Sequence, residues 1–230
     1  MTIRMVNKNS DLANVLGSKM SVEYDYDVVI IGGGPAGSTV ARYVAQSGVS
    51  VVVVDSRESI GSPLQCGELV PTNDEMRRLC PNVPDMDDLF MTPENAISKR
   101  TEVMKIITPS GKSLEFGFEG LVLNRVAHDE ALVELAKRAG AEFKVGCFVN
   151  KIEGNTIHKR NGESIKGKVI VGAGGHNDPV RRTFWKEKST NIPVKFSLKD
   201  GDYGDAVELH FGSMAPGGYA WMFPKSTGAN

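Results

Sequence analysis

An α/β fold with a parallel sheet is predicted for this 230-residue chain by three features near its start. Val28-Val29-Ile30-Ile31 is a short continuous apolar run, the pattern of a parallel strand buried on both faces. Glycines follow at once, in Gly32-Gly33-Gly34-Pro35-Ala36-Gly37, and lead into a helical stretch over residues 35–47. A second apolar run, residues 49–54, then ends on Asp55.

Each part of that unit has its own signal. Val40 and Val44 share one side of the helix, as do Ala41 and Ala45, and Gly48 stands where a helix end favours the left-handed conformation. After Asp55 the alternation of helix and strand stops. A Gly/Pro-containing loop, Gly61-Ser62-Pro63-Leu64-Gln65-Cys66-Gly67, precedes a polar, proline-punctuated stretch to about residue 95. Residues 102–108 and 112–118 predict a hairpin around Pro109-Ser110-Gly111, and Leu121-Val122-Leu123 predicts a further short strand. Leu132, Leu135, Ala136 and Ala139 recur at helical spacing, so residues 126–139 read as a helix closed by Gly140. Residues 143–145 supply a third parallel strand. A small antiparallel meander is expected over 148–153, 155–159 and 163–166, then a buried strand over 168–173. Further strands are expected at 193–198, 205–211 and 219–223.

Composition narrows the function. Lys and Arg number 27 against 28 Asp and Glu, which argues against a general nucleic-acid binder. Three widely spaced cysteines, Cys66, Cys80 and Cys147, form neither a disulfide framework nor a zinc motif, and no metal is expected. Residues 1–20 are polar and lack the apolar centre of a signal peptide, and no run of about 18 apolar residues occurs. Residues 1–24 read as a leader. The expected location is cytoplasmic, with peripheral contact at a membrane compatible with the sequence.

The glycine cluster satisfies G-x-G-x-x-G. Gly32 permits a tight turn, Gly34 lets backbone approach a pyrophosphate, and Gly37 allows close packing of helix on strand. The helix N-terminus offers unpaired N–H groups and a favourable dipole to phosphates. Asp55, 18 residues after Gly37, is placed to accept hydrogen bonds from ribose hydroxyls. Alone the pattern would be weak; between two apolar strands, with the acid in place, it specifies a Rossmann-type dinucleotide site. The Cys-Gly loop and hairpin that follow, in place of more helix–strand repeats, point to FAD rather than NAD.

With these residues in hand, the sequence resembles the geranylgeranyl reductase family, within the flavoproteins related to para-hydroxybenzoate hydroxylase. Residues 27–37 resemble its opening FAD fingerprint, and Asp55-Ser56-Arg57 its acid-x-Arg element. The loop from Gly61 to Glu68 is similar to its G-x-P-x-x-C-G-E loop near the flavin, and Leu123-Asn124-Arg125 to the segment carrying an arginine that helps hold FAD. Residues 216–224 are similar to its P-x-x-Y-x-W-x-F-P segment beside the prenyl pocket. Three departures stand out. Leu69 follows Cys66-Gly67-Glu68 where the family often has glycine, Gly174-Gly175 replaces the broader group's Asp-Gly, and the chain stops at Asn230. The last implies the N-terminal portion of a longer protein, with an unfinished sheet edge that should associate.

The resemblance implies an FAD-binding domain over 25–75 and 119–189, interleaved with an incomplete β-rich substrate domain over 76–118 and 190–230. It implies cofactor contacts at Gly32, Gly34, Pro35, Ala36, Gly37, Asp55, Ser56 and Arg57. It implies others at Cys66, Gly67, Arg125, Val149 and Gly175. Tyr219, Trp221 and Phe223 alternate on one strand face and are expected to line the substrate side. The implied reaction is reduction of C=C bonds in a prenyl chain. The proton donor is open between Cys66, Tyr219 and a water, and the electron donor between NADPH and a ferredoxin-like protein. His176 could face the cofactor, though a hydrogen-bonded structural histidine is the plainer expectation. Two rivals remain: a flavin-dependent aromatic monooxygenase of the same group, and a truncated, non-catalytic flavin-binding module.

Overall fold

The computed structural model describes residues 23–186 and 197–230. The leader, apart from its last two residues, and most of the strand expected at 193–198 lie outside the described residues.

Four parallel strands form the centre: β1 (Tyr26–Ile31), β2 (Val51–Val54), β6 (Glu142–Lys144) and β9 (Ser164–Gly172). Their sheet has the order β6-β2-β1-β9-β8-β7, with β7 (Val149–Glu153) and β8 (Thr156–Lys159) antiparallel at one side. All four valines of β2 are buried, as a strand covered on both faces requires. Helices α1 (Pro35–Gln46) and α4 (Arg125–Arg138) cover one face, where Ala41 and Ala136 pack with Ile30, Val51 and Val53. On the other face Val149, Ile152, Ile157 and Ile165 pack with Val29, Ile31, Val52 and Val54. Val180 of α5 (Pro179–Trp185) joins that cluster.

A second sheet has the order β12-β11-β4-β5-β3, built on β4 (Ile97–Ile107) and β5 (Ser113–Leu123). β3 (Leu69–Pro71) pairs with the end of β5, and β11 (Val207–His210) runs between β4 and β12 (Ala220–Met222). Thus 69–71 and 119–123, placed with the nucleotide half by the division above, pair in this sheet. A small third sheet joins β10 (Lys199–Asp200), β14 (Gly228–Ala229) and β13 (Pro224–Lys225).

Three local readings change. Leu121-Val122-Leu123 is no separate strand; it is the end of β5, which runs unbroken through Gly117 and Gly120. Gly120 is a packing glycine, since a Cβ there would lie 2.5 Å from the Phe118 ring and 2.9 Å from Thr101. Likewise 163–166 and 168–173 are one strand, in which Gly167 marks the change of partner from β8 to β1. A Cβ on Gly167 would meet Val29 at 2.7 Å. The polar stretch to residue 95 contains two helices, α2 (Asn73–Leu79) and α3 (Met86–Leu89). Thr72 Oγ1 caps α2 by accepting from Glu75 N–H at 3.2 Å, and buried Arg42 of α1 donates to Asp88 of α3 at 2.7 Å.

Candidate cofactor site

A cleft of about 860 Å³ opens where β1 and β2 end. This is the crevice outside the carboxyl ends of parallel strands, where α/β sheets bind ligands. Gly32, Gly34, Pro35 and Ala36 line it from the glycine turn, and Asp55, Ser56 and Arg57 from the end of β2. Cys66, Arg125, Val149 and Gly175 close the remaining sides, and His176 and Arg182 lie at the α5 side.

The three motif glycines are needed for different reasons. A Cβ on Gly32, which has φ 106°, would lie 2.3 Å from Ala173 O, and one on Gly37 would lie 1.8 Å from Gly32 O. Both keep backbone against backbone. Gly34 differs: a Cβ there would meet nothing nearer than Arg57 Nη2 at 4.0 Å, so its missing side chain leaves space in the cleft. Gly34 also precedes α1, whose N-terminus has no side-chain cap. Open space beside first-turn N–H groups suits the pyrophosphate of a dinucleotide.

Asp55 does more than face the cleft. It is 6% exposed, and its Oδ2 accepts from Gly33 N–H at 2.7 Å, which ties β2 to the glycine turn. Arg57 fills its other positions through Nε at 2.9 Å, Nη2 at 2.8 Å and its own backbone N–H at 2.8 Å. Burial works to raise the Asp55 carboxyl, but the Arg57 guanidinium and these N–H donors prevail and hold it below the usual carboxylate range. A carboxylate offers about four acceptor sites, so a ribose hydroxyl competes here with Arg57.

Arg125 opens α4 and reaches Asp129, one turn on, through Nε at 2.8 Å and Nη2 at 3.2 Å. Burial pulls the guanidinium down, and the Asp129 carboxylate outweighs it and raises Arg125. Asp129 is itself depressed: burial raises it, while His128 and Arg125 lower it further. Asp129 was not singled out from the sequence, although an arginine and an aspartate four apart on a helix is a readable pairing signal.

Two expected cofactor residues stand off the cleft. Gly37 packs helix on strand, and what it leaves for a ligand is its backbone N–H in the first turn of α1. Gly67 faces the aromatic row, where a Cβ would lie 2.8 Å from Phe223 and 3.0 Å from Trp221 Nε1. Tyr219, Trp221 and Phe223 do form a row, with successive ring centroids 6.2 Å apart, but none of them lines this cleft. Phe223 is core, packed with Val122 and Val207; Tyr219 is exposed. Near Gly174-Gly175, Asp178 brings a carboxylate back: it accepts from Gly174 N–H at 2.6 Å and from Arg181 N–H at 2.8 Å, so it braces this turn.

The profile of the pyridine nucleotide-disulphide oxidoreductases matches residues 26–115. An uncharacterised protein from the nifH2 5' region of Methanosarcina barkeri is 40% identical over 167 residues, covering 71% of this chain and 90% of that one. Digeranylgeranylglycerophospholipid reductase of Thermoplasma volcanium is 32% identical, over 88% of this chain and 54% of its own length. A geranylgeranyl bacteriochlorophyll reductase-like protein from Thermoplasma acidophilum superposes with a TM-score of 0.66 at 27% identity, over 89% of this chain and 55% of that one. The chain belongs to the geranylgeranyl reductase family. That family consists of FAD-dependent oxidoreductases. The chain spans about half the length of the reductases it matches. A probable FAD-dependent monooxygenase of Pseudomonas aeruginosa, PqsL, shares the fold at 16% identity and a TM-score of 0.64.

Proposed function

We propose that this chain holds FAD in the cleft at the ends of β1 and β2 and works as part of a reductase of C=C bonds in a prenyl chain. The observation that carries the cofactor reading is Gly34, the one motif glycine whose missing side chain opens onto the cleft beside an uncapped helix. The substrate class is supported by the reductase names of the relatives and by the aromatic row Tyr219–Trp221–Phe223 next to the Cys66 loop.

In this reading α1 addresses the pyrophosphate with its N-terminus, and Asp55 the ribose. The flavin, when bound, supplies the hydride that reduces the alkene. Cys66 lines the cleft and is better placed than Tyr219 to hold a proton there. The aromatic row gives a prenyl chain an apolar wall that excludes water. Electrons would come from NADPH or a ferredoxin-like carrier. No helix among the described residues is long and apolar enough to cross a membrane, and a prenyl-lipid substrate would be met at the membrane surface.

The test uses the natural protein, denatured and chromatographed for released flavin. Mass spectrometry of geranylgeranyl lipids after anaerobic reduction with dithionite then follows. FAD together with a gain of two hydrogens per reduced bond is expected. Bound NAD(H) would defeat the cofactor reading; oxygen-dependent turnover of NADPH with a phenol, without alkene reduction, would replace the reductase by a monooxygenase.

A further inference from the structure

Glu68, next to Cys66-Gly67, is 2% exposed and adopts φ 72°, a left-handed conformation that non-glycine residues hold only where their surroundings fix them. Those surroundings converge from three directions. Its backbone N–H donates to Cys66 Sγ at 3.2 Å, and its carbonyl accepts from Leu123 N–H at 2.8 Å. Its Oε1 accepts from the backbone N–H of Arg125 at 3.1 Å. Its Oε2 accepts from Lys225 Nζ at 2.6 Å and from Asn230 Nδ2 at 2.9 Å.

The partners extend the network to the substrate side. Lys225 also donates to Leu123 O at 2.9 Å, and Asn230 to Cys66 O at 3.2 Å. Trp221 Nε1 donates to Asn230 Oδ1 at 3.0 Å. One buried carboxylate therefore joins the Cys66 loop, the start of α4 and the strands that carry the aromatic row. Neither Glu68, Lys225 nor Asn230 lines the cofactor cleft. A buried ion pair is seldom worth more than a well-packed apolar pair, so stability alone gives little reason for one here.

We propose that Glu68 and Lys225 are positioning residues: their buried pair sets Cys66 and Arg125 against the cofactor cleft and fixes them relative to Trp221 and Phe223. This rests on the cleft being the reacting site, as argued above. Cys66 and Cys147 both line the cleft, but of the three part-exposed cysteines Cys66 alone belongs to the network, so Cys147 serves as a reference inside the cleft and Cys80 as one away from it.

The experiment is iodoacetamide labelling of the natural protein without added cofactor, with each cysteine followed by peptide mass spectrometry. Lys225→Met should change the labelling rate of Cys66 roughly ten-fold, by local release of its loop, and leave Cys80 and Cys147 within about two-fold. Lys225→Arg should return Cys66 to near its original rate. If Lys225→Met does not fold, Glu68→Gln, which removes the charge of the pair and keeps the side-chain shape, should alter Cys66 labelling about three-fold, again alone. A folded variant in which Cys66 labels as in the parent, or in which all three cysteines change together, overturns the proposal. A protein that binds no flavin would defeat the functional reading, and the cysteine measurement would still decide this one.

Discussion

Gly34→Val separates the fold from the cofactor more cleanly than any other change in the glycine turn. The added side chain enters open cleft space, with Arg57 Nη2 at 4.0 Å its nearest neighbour, and Gly34 has an ordinary φ of −67°. The folding cost is the loss of a favourable N-cap residue, ~1 kcal/mol, which lowers the melting temperature by about 2–4 °C in a chain of this size. The binding cost is larger. Pro35 has no N–H and Ser38 N–H is taken by Gly34 O at 2.9 Å, so Ala36 and Gly37 carry the N–H groups left to meet a phosphate. Hydrogen bonds to a charged group contribute ~1.5–3 kcal/mol each, so losing two weakens FAD by about 3 kcal/mol or more, over 100-fold. Flavin titration and a thermal melt of the same sample measure both. Gly37→Ala is the contrast: its Cβ would lie 1.8 Å from Gly32 O, and it should lose the fold of the turn and the cofactor together. A folded Gly34→Val protein with parental flavin affinity would falsify the placement of the pyrophosphate.

Asp55→Ala should strip the ribose contact and weaken FAD by ~1–3 kcal/mol, and should also lower stability by ~1–3 kcal/mol because the Gly33 N–H loses its buried acceptor; parental values of both by titration and melting would refute it. The aromatic row should split: Phe223→Ala should cost ~3–5 kcal/mol of stability as a buried ring, and exposed Tyr219→Ala within about 0.5 kcal/mol. Trp221→Ala should lower prenyl-substrate reduction with the flavin spectrum kept, and loss of flavin instead would make it a packing residue. Asp55, Asp129 and Asp27 all have lowered pKa values, about 2 for Asp27, where the Lys168 ammonium, Ser50 hydroxyl and Ser50 N–H hold the anion. Such carboxyls add stability above their unfolded pKa, near 4, and lose it as pH falls through the folded one. The melting temperature should therefore drop between about pH 4 and pH 2, less steeply in Asp27→Asn; equal slopes would remove Asp27 from the account.

The first β-α-β unit was legible because its signals are local: the apolar runs, the glycines and the closing acid occupy residues 28–55 and need no distant partner. Glycine was the weakest guide elsewhere. Gly120 and Gly167 fell between expected strands yet sit inside strands, both because a neighbouring side chain takes the space of the missing Cβ. The capping of α2 by Thr72 with Glu75 three residues on was available in the sequence but masked by the polar setting of residues 72–90. The Glu68–Lys225 pair was out of reach, because it joins positions 157 apart whose meeting depends on how two sheets pack.

The charges around the cleft also divide by what each can give up. Arg57 and Asp55, and Arg125 and Asp129, are two neutralised pairs, so neither arginine presents an uncommitted charge to a phosphate. Moving Arg125 to a ligand would leave Asp129, 3% exposed, with His128 as its remaining side-chain partner. Breaking a buried pair costs ~3–5 kcal/mol, more than the ~1.5–3 kcal/mol a hydrogen bond to a charged group returns. Arg125 is therefore the costlier of the two arginines to move onto a ligand, while its backbone N–H separately ties the start of α4 to Glu68. Arg57 is different. Its side chain is 29% exposed, and Asp55 keeps the N–H groups of Gly33 and Arg57 when the guanidinium leaves. The Asp55 carboxylate can thus exchange the Arg57 side chain for ribose hydroxyls at little cost, while the Gly33 contact that shapes the glycine turn stays in place.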